Sequence, residues 1–396
     1  MASGAMDERK RHYGLDWLRI AAFALLVPYH IALTFSIFPW VINTPYAFPW
    51  LTVPMMAVTP WRLGLLFAVS GYASAKLSLR ASGRTAFAID RSKRLLVPLA
   101  FGMVALVPSE MWVRVREHGY PRPLGWFWLH DAWHEGRFWG VTFPSWEHLW
   151  FLVYLWAYTM VLVALLAGAS GRADRLLDRW AAWLVQGSRL LWAPLAVLML
   201  LRVSVLFTIP EKMGLATDWA GHLHYGPIFA LGFLIGRRSI LWPAVHRLWK
   251  PALAIAIVGA AAAAIIELRY PGNAVPPHLE MAINRTSRSA VAWAMVLVLF
   301  HLADAYADRD HRWRVPLSRA VFPAYMIHHP VIIATTWFLL PTRLGPGAMA
   351  AILFAVTIGA CFAGWLLARS VPLLGILLGM PPRDGAARGS VGRAIC

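Results

Sequence analysis

Arg19 and His30 stand eleven residues apart in the apolar run 15–33, where neither side chain is welcome. A charged group near the bilayer centre costs about 3 kcal/mol even on insertion scales. At about 100° per residue, eleven positions end roughly 20° past three full turns. The two side chains therefore share one helix face, about 16 Å apart along the axis. Imidazole, with an ordinary pKa of about 6.5, suits general-base work near neutral pH. Taken separately, Arg19 snorkels to headgroups and His30 hydrogen-bonds a neighbouring helix. Taken together, they bind an anion at one end of the face and move a proton at the other. Pro28 removes a backbone hydrogen bond near His30, so a kink is expected.

Arg91 and Arg94 are three apart and share a face if a helix runs through them. With Arg84 and Lys93 they form the densest basic cluster in the chain. Two guanidinium forks match a multiply phosphorylated ligand, although plain topological anchoring also accounts for them. Glu147 and His148 head a later apolar run, where a carboxylate beside an imidazole can raise its basicity or simply cap the interface. They could bind or activate an acceptor. His328 and His329 precede Pro330 inside another run, and one of them is expected to point into the bundle. Arg62 and Arg202 are unusual inside spans and could pair with Asp16 or Asp218, or line an acceptor path. His222 and His224 alternate near the end of a further run. No H-E-x-x-H and no cysteine pair at ligand spacing occurs, so no metal is expected. Ser70, in "AVSGYAS", lacks the first glycine of a nucleophile elbow and reads as a helix-packing residue.

These side chains need a membrane bundle to hold them. The chain has 396 residues, 59% hydrophobic and 14% charged, with mean hydropathy +0.56 and 22 tryptophans. Soluble domains carry about 25% charged residues. The net charge of +18 is spread in short clusters between apolar runs, which argues for topology signals and against nucleic acid. Cys361 and Cys396 make no disulfide framework. The first run has no small-residue cleavage site after it and reads as a retained signal-anchor. Runs near 15–37, 58–79, 95–113, 148–168, 190–209, 219–236, 251–268, 288–303, 320–340 and 348–368 predict an all-α integral membrane protein of about ten transmembrane helices. Most of the 37 lysines and arginines fall in segments that an N-in/C-in topology places inside. The expected organisation is an N-terminal cytoplasmic segment 1–14, a transmembrane domain 15–370 and a basic cytoplasmic tail 371–396, whose small, polar end PPRDGAARGSVGRAIC is expected to be disordered. No internal repeat is visible, and oligomeric state is unreadable.

"LDWLRIAAFALLVPYHI" resembles the first helix of the acyltransferase family 3 membrane proteins, with its Arg-x10-His spacing. "RSKR" is similar to the Arg-x-x-Arg that these proteins place before their third helix. "LLFAVSGYASA" and "FPAYMIHHPVI" resemble the family's second helix and its late Tyr-x-x-His-(His)-Pro segment. "EHLWFLVYLWAY" resembles the periplasmic glucan succinyltransferase branch. The matches run in family order from residue 13 to about 370. The resemblance implies a multi-pass protein of the bacterial inner membrane. It would move an acetyl or succinyl group from cytoplasmic acyl-CoA to a sugar hydroxyl of a periplasmic glucan or other envelope polysaccharide. On that footing Arg19, Arg91 and Arg94 hold the CoA phosphates or orient the donor, and His30 deprotonates the acceptor hydroxyl or relays the acyl group. The rival expectation is a proton-coupled transporter or flippase for an anionic sugar or lipid, which would ignore a thioester.

Overall fold

The computed structural model of the chain describes residues 12–168, 171–205, 209, 214–272 and 274–381. Nearly all of the expected N-terminal segment, and the tail beyond 381, lie outside the described residues. The long helices are α1 (Tyr13–Ala24), α2 (Leu26–Thr34), α3 (Thr52–Arg80), α4 (Arg84–Ala105), α5 (Val107–Glu117) and α6 (Trp150–Gly168). They continue with α7 (Arg172–Leu184), α8 (Arg189–Val203), α9 (Trp219–Arg237), α10 (Trp242–Arg269), α11 (His278–Ala307), α12 (Arg314–Leu339) and α13 (Pro346–Ser370). A short α14 (Pro372–Leu377) follows.

Each of the ten apolar runs falls on one of these helices or on a bent pair. Among the described residues six spans are long and apolar enough to cross a membrane, and the bent pairs α4–α5 (40°) and α7–α8 (103°) raise the number to as many as eight. Helices α9 and α12 fall below that apolarity. The reason is chemical: α9 carries His222 and His224, and α12 carries Arg314, Arg319, His328 and His329. The sharp turn between α7 and α8 has a cause as well. Leu176, Trp180 and Trp183 are exposed along one side of α7, while Ala181 and Leu184 are buried. Asp174 and Asp178 pair with Arg238 at 3.0 and 2.7 Å. Such a helix suits the interface plane, not a crossing.

The first span is broken at Leu25, as Pro28 requires. Proline cannot donate to the Ala24 carbonyl four residues back, and the ladder resumes with the Tyr29 amide on the Leu25 carbonyl at 3.2 Å.

Helices α3 and α9 cross so closely that side chains are excluded from the contact. A Cβ on Gly232 would overlap the Ala68 carbonyl, and one on Gly71 would overlap the Phe229 carbonyl. Gly232 and Gly236 are four apart, the spacing by which small residues let membrane helices approach. Gly232→Val must push the helix backbones away from each other, so a loss of about 3 kcal/mol is expected. In a detergent thermal melt it should unfold well below wild type, while Gly359→Ala, where nothing lies within 4 Å of an added Cβ, should not. Equal melting of the two variants would contradict the close crossing.

The all-α expectation misses one small feature. Strands β1 (Gly136–Phe138) and β2 (Val141–Phe143) form an antiparallel hairpin in the loop between α5 and α6. Its turn residues Trp139 and Gly140 both have positive φ, the geometry that a two-residue hairpin loop favours. Tyr120 donates to the Asp131 carboxylate nearby, which ties the loop to itself. Burial, helped by that bond, holds the Tyr120 phenol above its ordinary range. The hairpin side of this loop puts Val141, Thr142 and Ser145 against the bundle.

Candidate active site

Two cavities of about 420 Å³ each lie along the Arg19–His30 face, one at each end. The first is walled by Arg19, Arg91, Arg94, Arg314 and Arg319, with no carboxylate among its lining residues. Arg314 is already neutralised by Asp16 at 2.9 Å and Asp310 at 2.8 Å. Arg19 donates to the Ser318 hydroxyl. Arg91 is buried to 9% exposure, and its Nε has no hydrogen-bond partner. Arg91 and Arg94 reach the same cavity because α4 begins at Arg84 and carries both on one side. Arg84 and Lys93 do not line it, so half of the basic cluster seen in sequence stands elsewhere. Arg84 is at an exposed contact with the Ala167 carbonyl. A basic chamber of this kind suits a polyanion.

The second cavity holds His30, His148, His328 and His329, together with Arg62 and the Arg114–Glu147 pair. The expectation that one of His328 and His329 points inward is exceeded, because both imidazoles turn inward, at 2% and 5% exposure. The hydrogen-bond network assigns the tautomers of the central pair. His328 Nδ1 faces the Tyr325 and Ala324 carbonyls at 2.8 and 3.1 Å, so it carries the proton. His328 Nε2 is then a lone-pair acceptor, and His30 Nδ1 donates to it at 3.2 Å. That leaves Nε2 of His30 as the basic nitrogen, with no hydrogen bond claiming it among the described residues. The ring is held between stacked Trp40 (5.7 Å) and edge-on His329 (5.0 Å). This is the second-partner logic of a general base: one nitrogen fixed, the other free to take a proton.

His328 is therefore a positioning residue. His328→Ala removes the acceptor that fixes the His30 tautomer, and about a 30-fold fall in turnover is expected on the scale of orienting-partner losses. The limb of the pH–rate profile that reports the base should move as well. A profile superimposable on wild type would contradict the assignment.

Behind this pair, Glu110 sits fully buried between two imidazoles. His329 Nδ1 approaches Oε2 at 3.0 Å with hydrogen-bond geometry. His148 Nδ1 lies 3.0 Å from Oε1, yet both atoms lack a well-directed hydrogen bond, so this is a charge contact. His148 Nε2 donates to the Met326 carbonyl at 3.2 Å. A proton must then lie between His148 Nδ1 and Glu110 if the contact is to attract. The ligating atoms of these three residues lie within 4.8 Å of one another, a grouping that could also take a cation and that no local motif announces.

Two sequence expectations are corrected here. Glu147 does not act on its neighbour His148: it accepts from Arg114 at 3.2 and 3.0 Å and from Ser145 at 2.7 Å. A 3-10 turn over Glu147–Leu149 separates the two side chains, and the carboxylate beside His148 is Glu110. Arg62 pairs with neither Asp16 nor Asp218, because Arg314 holds Asp16, and Asp218 accepts from Tyr154 and the Gly221 amide. Arg202 lines a separate cavity with Glu267. Sequence reasoning missed Glu110, although an acid inside the apolar run 95–113 was a signal.

The two cavities share a wall. Phe151 and Tyr325 line both. Phe23 meets their rings edge-on at 6.4 and 5.6 Å, and the Tyr325 hydroxyl donates to the His148 carbonyl at 2.5 Å. An aromatic partition thus separates the arginines from the histidines.

The acyltransferase domain model of the acyltransferase 3 family matches residues 12–368. Glucans biosynthesis protein C of Salmonella schwarzengrund (strain CVM19633) is 24% identical over 402 residues, covering 96% of this chain and 98% of that protein. The Salmonella typhi protein of the same name matches to the same extent. The one from Escherichia coli O6:K15:H31 (strain 536 / UPEC) is 27% identical over 161 residues, covering 39% of this chain and 38% of its own length. No solved structure matches.

Proposed function

The chain belongs to the acyltransferase 3 family, and from that we propose that it moves a short acyl group from acyl-CoA to a sugar hydroxyl across a bacterial inner membrane. The acceptor is a periplasmic glucan or a related envelope polysaccharide, in keeping with the name its relatives carry. The acyl group is acetyl or succinyl. The excess of Lys and Arg in the segments next to Arg19 and Arg91 supports an N-in/C-in orientation, with the basic cavity open to the cytoplasm. The transmembrane domain spans 15–370.

Arg91, Arg94 and Arg19 hold the phosphates of the donor as charge-assisted partners. The acyl thioester reaches past Phe23, Phe151 and Tyr325. A sugar hydroxyl enters the histidine cavity, where Trp40 and Trp150 offer faces for a pyranose ring. His30 Nε2 takes the hydroxyl proton as the oxygen attacks the thioester carbon. His328 keeps the tautomer that makes this possible, and the Glu110 cluster holds His329 against the ring.

The observation that carries this reading is the shared wall: an arginine cavity without acids meets a histidine cavity at Phe151 and Tyr325. A binding site for a polyanionic donor thus abuts a base. The test uses proteoliposomes with the protein reconstituted, acyl-CoA on one side and glucan on the other. Free thiol should appear only when both substrates are present. Glucan movement with no thiol release would support the transporter instead.

A further inference from the structure

Arg62 stands in the wall of the histidine cavity at 8% exposure, and its Nε and Nη1 are buried with no hydrogen-bond partner. Among the described residues no carboxylate pairs with it. The nearby acids are committed elsewhere: Glu147 to Arg114 and Ser145, Glu110 to His329 and His148. The guanidinium lies over the Tyr29 ring at 3.5 Å, and the Tyr29 hydroxyl is tied to Thr59 at 2.8 Å. That contact holds the guanidinium over the ring and leaves Nε and Nη1 without a hydrogen-bond partner among the described residues. Tyr29 is the residue before His30, so the same turn of α2 carries the base and the platform for the cation. A buried, uncompensated charge is unfavourable, and it becomes favourable when negative charge arrives beside it.

Negative charge arises in this cavity during the transfer itself. Resting on the acyltransferase reading above, we propose that Arg62 is the catalytic residue that stabilises the oxyanion. The sugar oxygen forms its bond to the thioester carbonyl carbon as His30 Nε2 takes the hydroxyl proton. The carbonyl electron pair moves onto oxygen, where Arg62 donates to it. The pair then returns, the carbon–sulfur bond breaks, and the leaving thiolate takes the proton from His30. The products are the sugar ester and free CoA thiol.

The test compares wild type, Arg62→Gln, Arg62→Lys and His30→Ala in proteoliposomes, with acetyl-CoA and succinyl-CoA as donors. Arg62→Gln should lower kcat about 100-fold with both donors and leave both KM values within about threefold of wild type. Arg62→Lys should recover some of the loss. Because Arg62→Gln removes an unpaired buried charge, its melting temperature should equal or exceed that of wild type. An unchanged kcat would overturn the assignment. So would a rise in KM confined to succinyl-CoA, which would make Arg62 a receptor for the distal carboxylate of the acyl group. A variant that melts early or fails to accumulate would make Arg62 structural and would also overturn it. Absence of transfer by wild type itself would instead sink the acyltransferase reading, and this inference with it.

Discussion

His30→Ala is expected to lower the acyl-transfer rate by about 1,000-fold, with the protein still present in the membrane at wild-type level. The effect should be this large because the variant removes the nitrogen that the network leaves basic. His328 Nδ1 is committed to two carbonyls, and its Nε2 to His30. His148 Nε2 is committed to the Met326 carbonyl, and its Nδ1 faces Glu110. General-base steps contribute about 10² to 10⁴ in rate, and neither of these imidazoles is placed to take over. His329, whose Nδ1 is held by Glu110 in the same cavity, is the remaining imidazole, so His329→Ala is measured beside His30→Ala and should lose less. Folding should survive, since His30 is only half-buried and lines the cavity wall. Initial rates of thiol release at saturating donor and acceptor measure the effect. A fall smaller than about tenfold would mean that another group is the base.

The double variant Arg91→Ala/Arg94→Ala should raise KM for acyl-CoA by about 100- to 10,000-fold, and kcat at saturating donor should change little. Each charge-assisted contact to a phosphate contributes about 1.5–3 kcal/mol, and tenfold corresponds to about 1.4 kcal/mol. The unpartnered Nε of Arg91 and the absence of acids in the cavity mean that its charge is available to a ligand. Arg84→Ala serves as the control from the same helix, and its KM should match wild type because Arg84 does not line the cavity. Donor titrations at low and high salt add a second reading: wild type should weaken with salt more steeply than the double variant. Equal KM values for the double variant and wild type would place the donor elsewhere.

What could be read from sequence was what local spacing determines. Arg19 and His30 share a span, Arg91 and Arg94 share a helix, and helical geometry alone puts each pair on one face. Pro28 forecast the break at Leu25 for the same reason. The rest of the site is assembled across the chain. His30 meets His328 over a separation of 298 residues, and Glu110 meets His329 over 219. No window of sequence contains either contact, so neither the tautomer nor the buried acid could be derived. Adjacency also misled: Glu147 and His148 are neighbours in sequence, but the 3-10 turn sends one to Arg114 and the other to Glu110. The helices that fall short of membrane apolarity, α9 and α12, are the ones that carry paired histidines and, in α12, arginines of the basic cavity. Their apolar runs were still legible in sequence, although the same polar groups lower their hydropathy.

The most direct test is mass spectrometry of periplasmic glucans and surface polysaccharide from cells carrying the wild-type gene, a deletion, or His30→Ala at matched membrane levels. An acyl mass increment present with wild type and absent from the other two is the predicted result, and its size names the acyl group. Identical polysaccharide in all three would contradict acyl transfer to these acceptors, and an increment that persists with His30→Ala would remove His30 as the base.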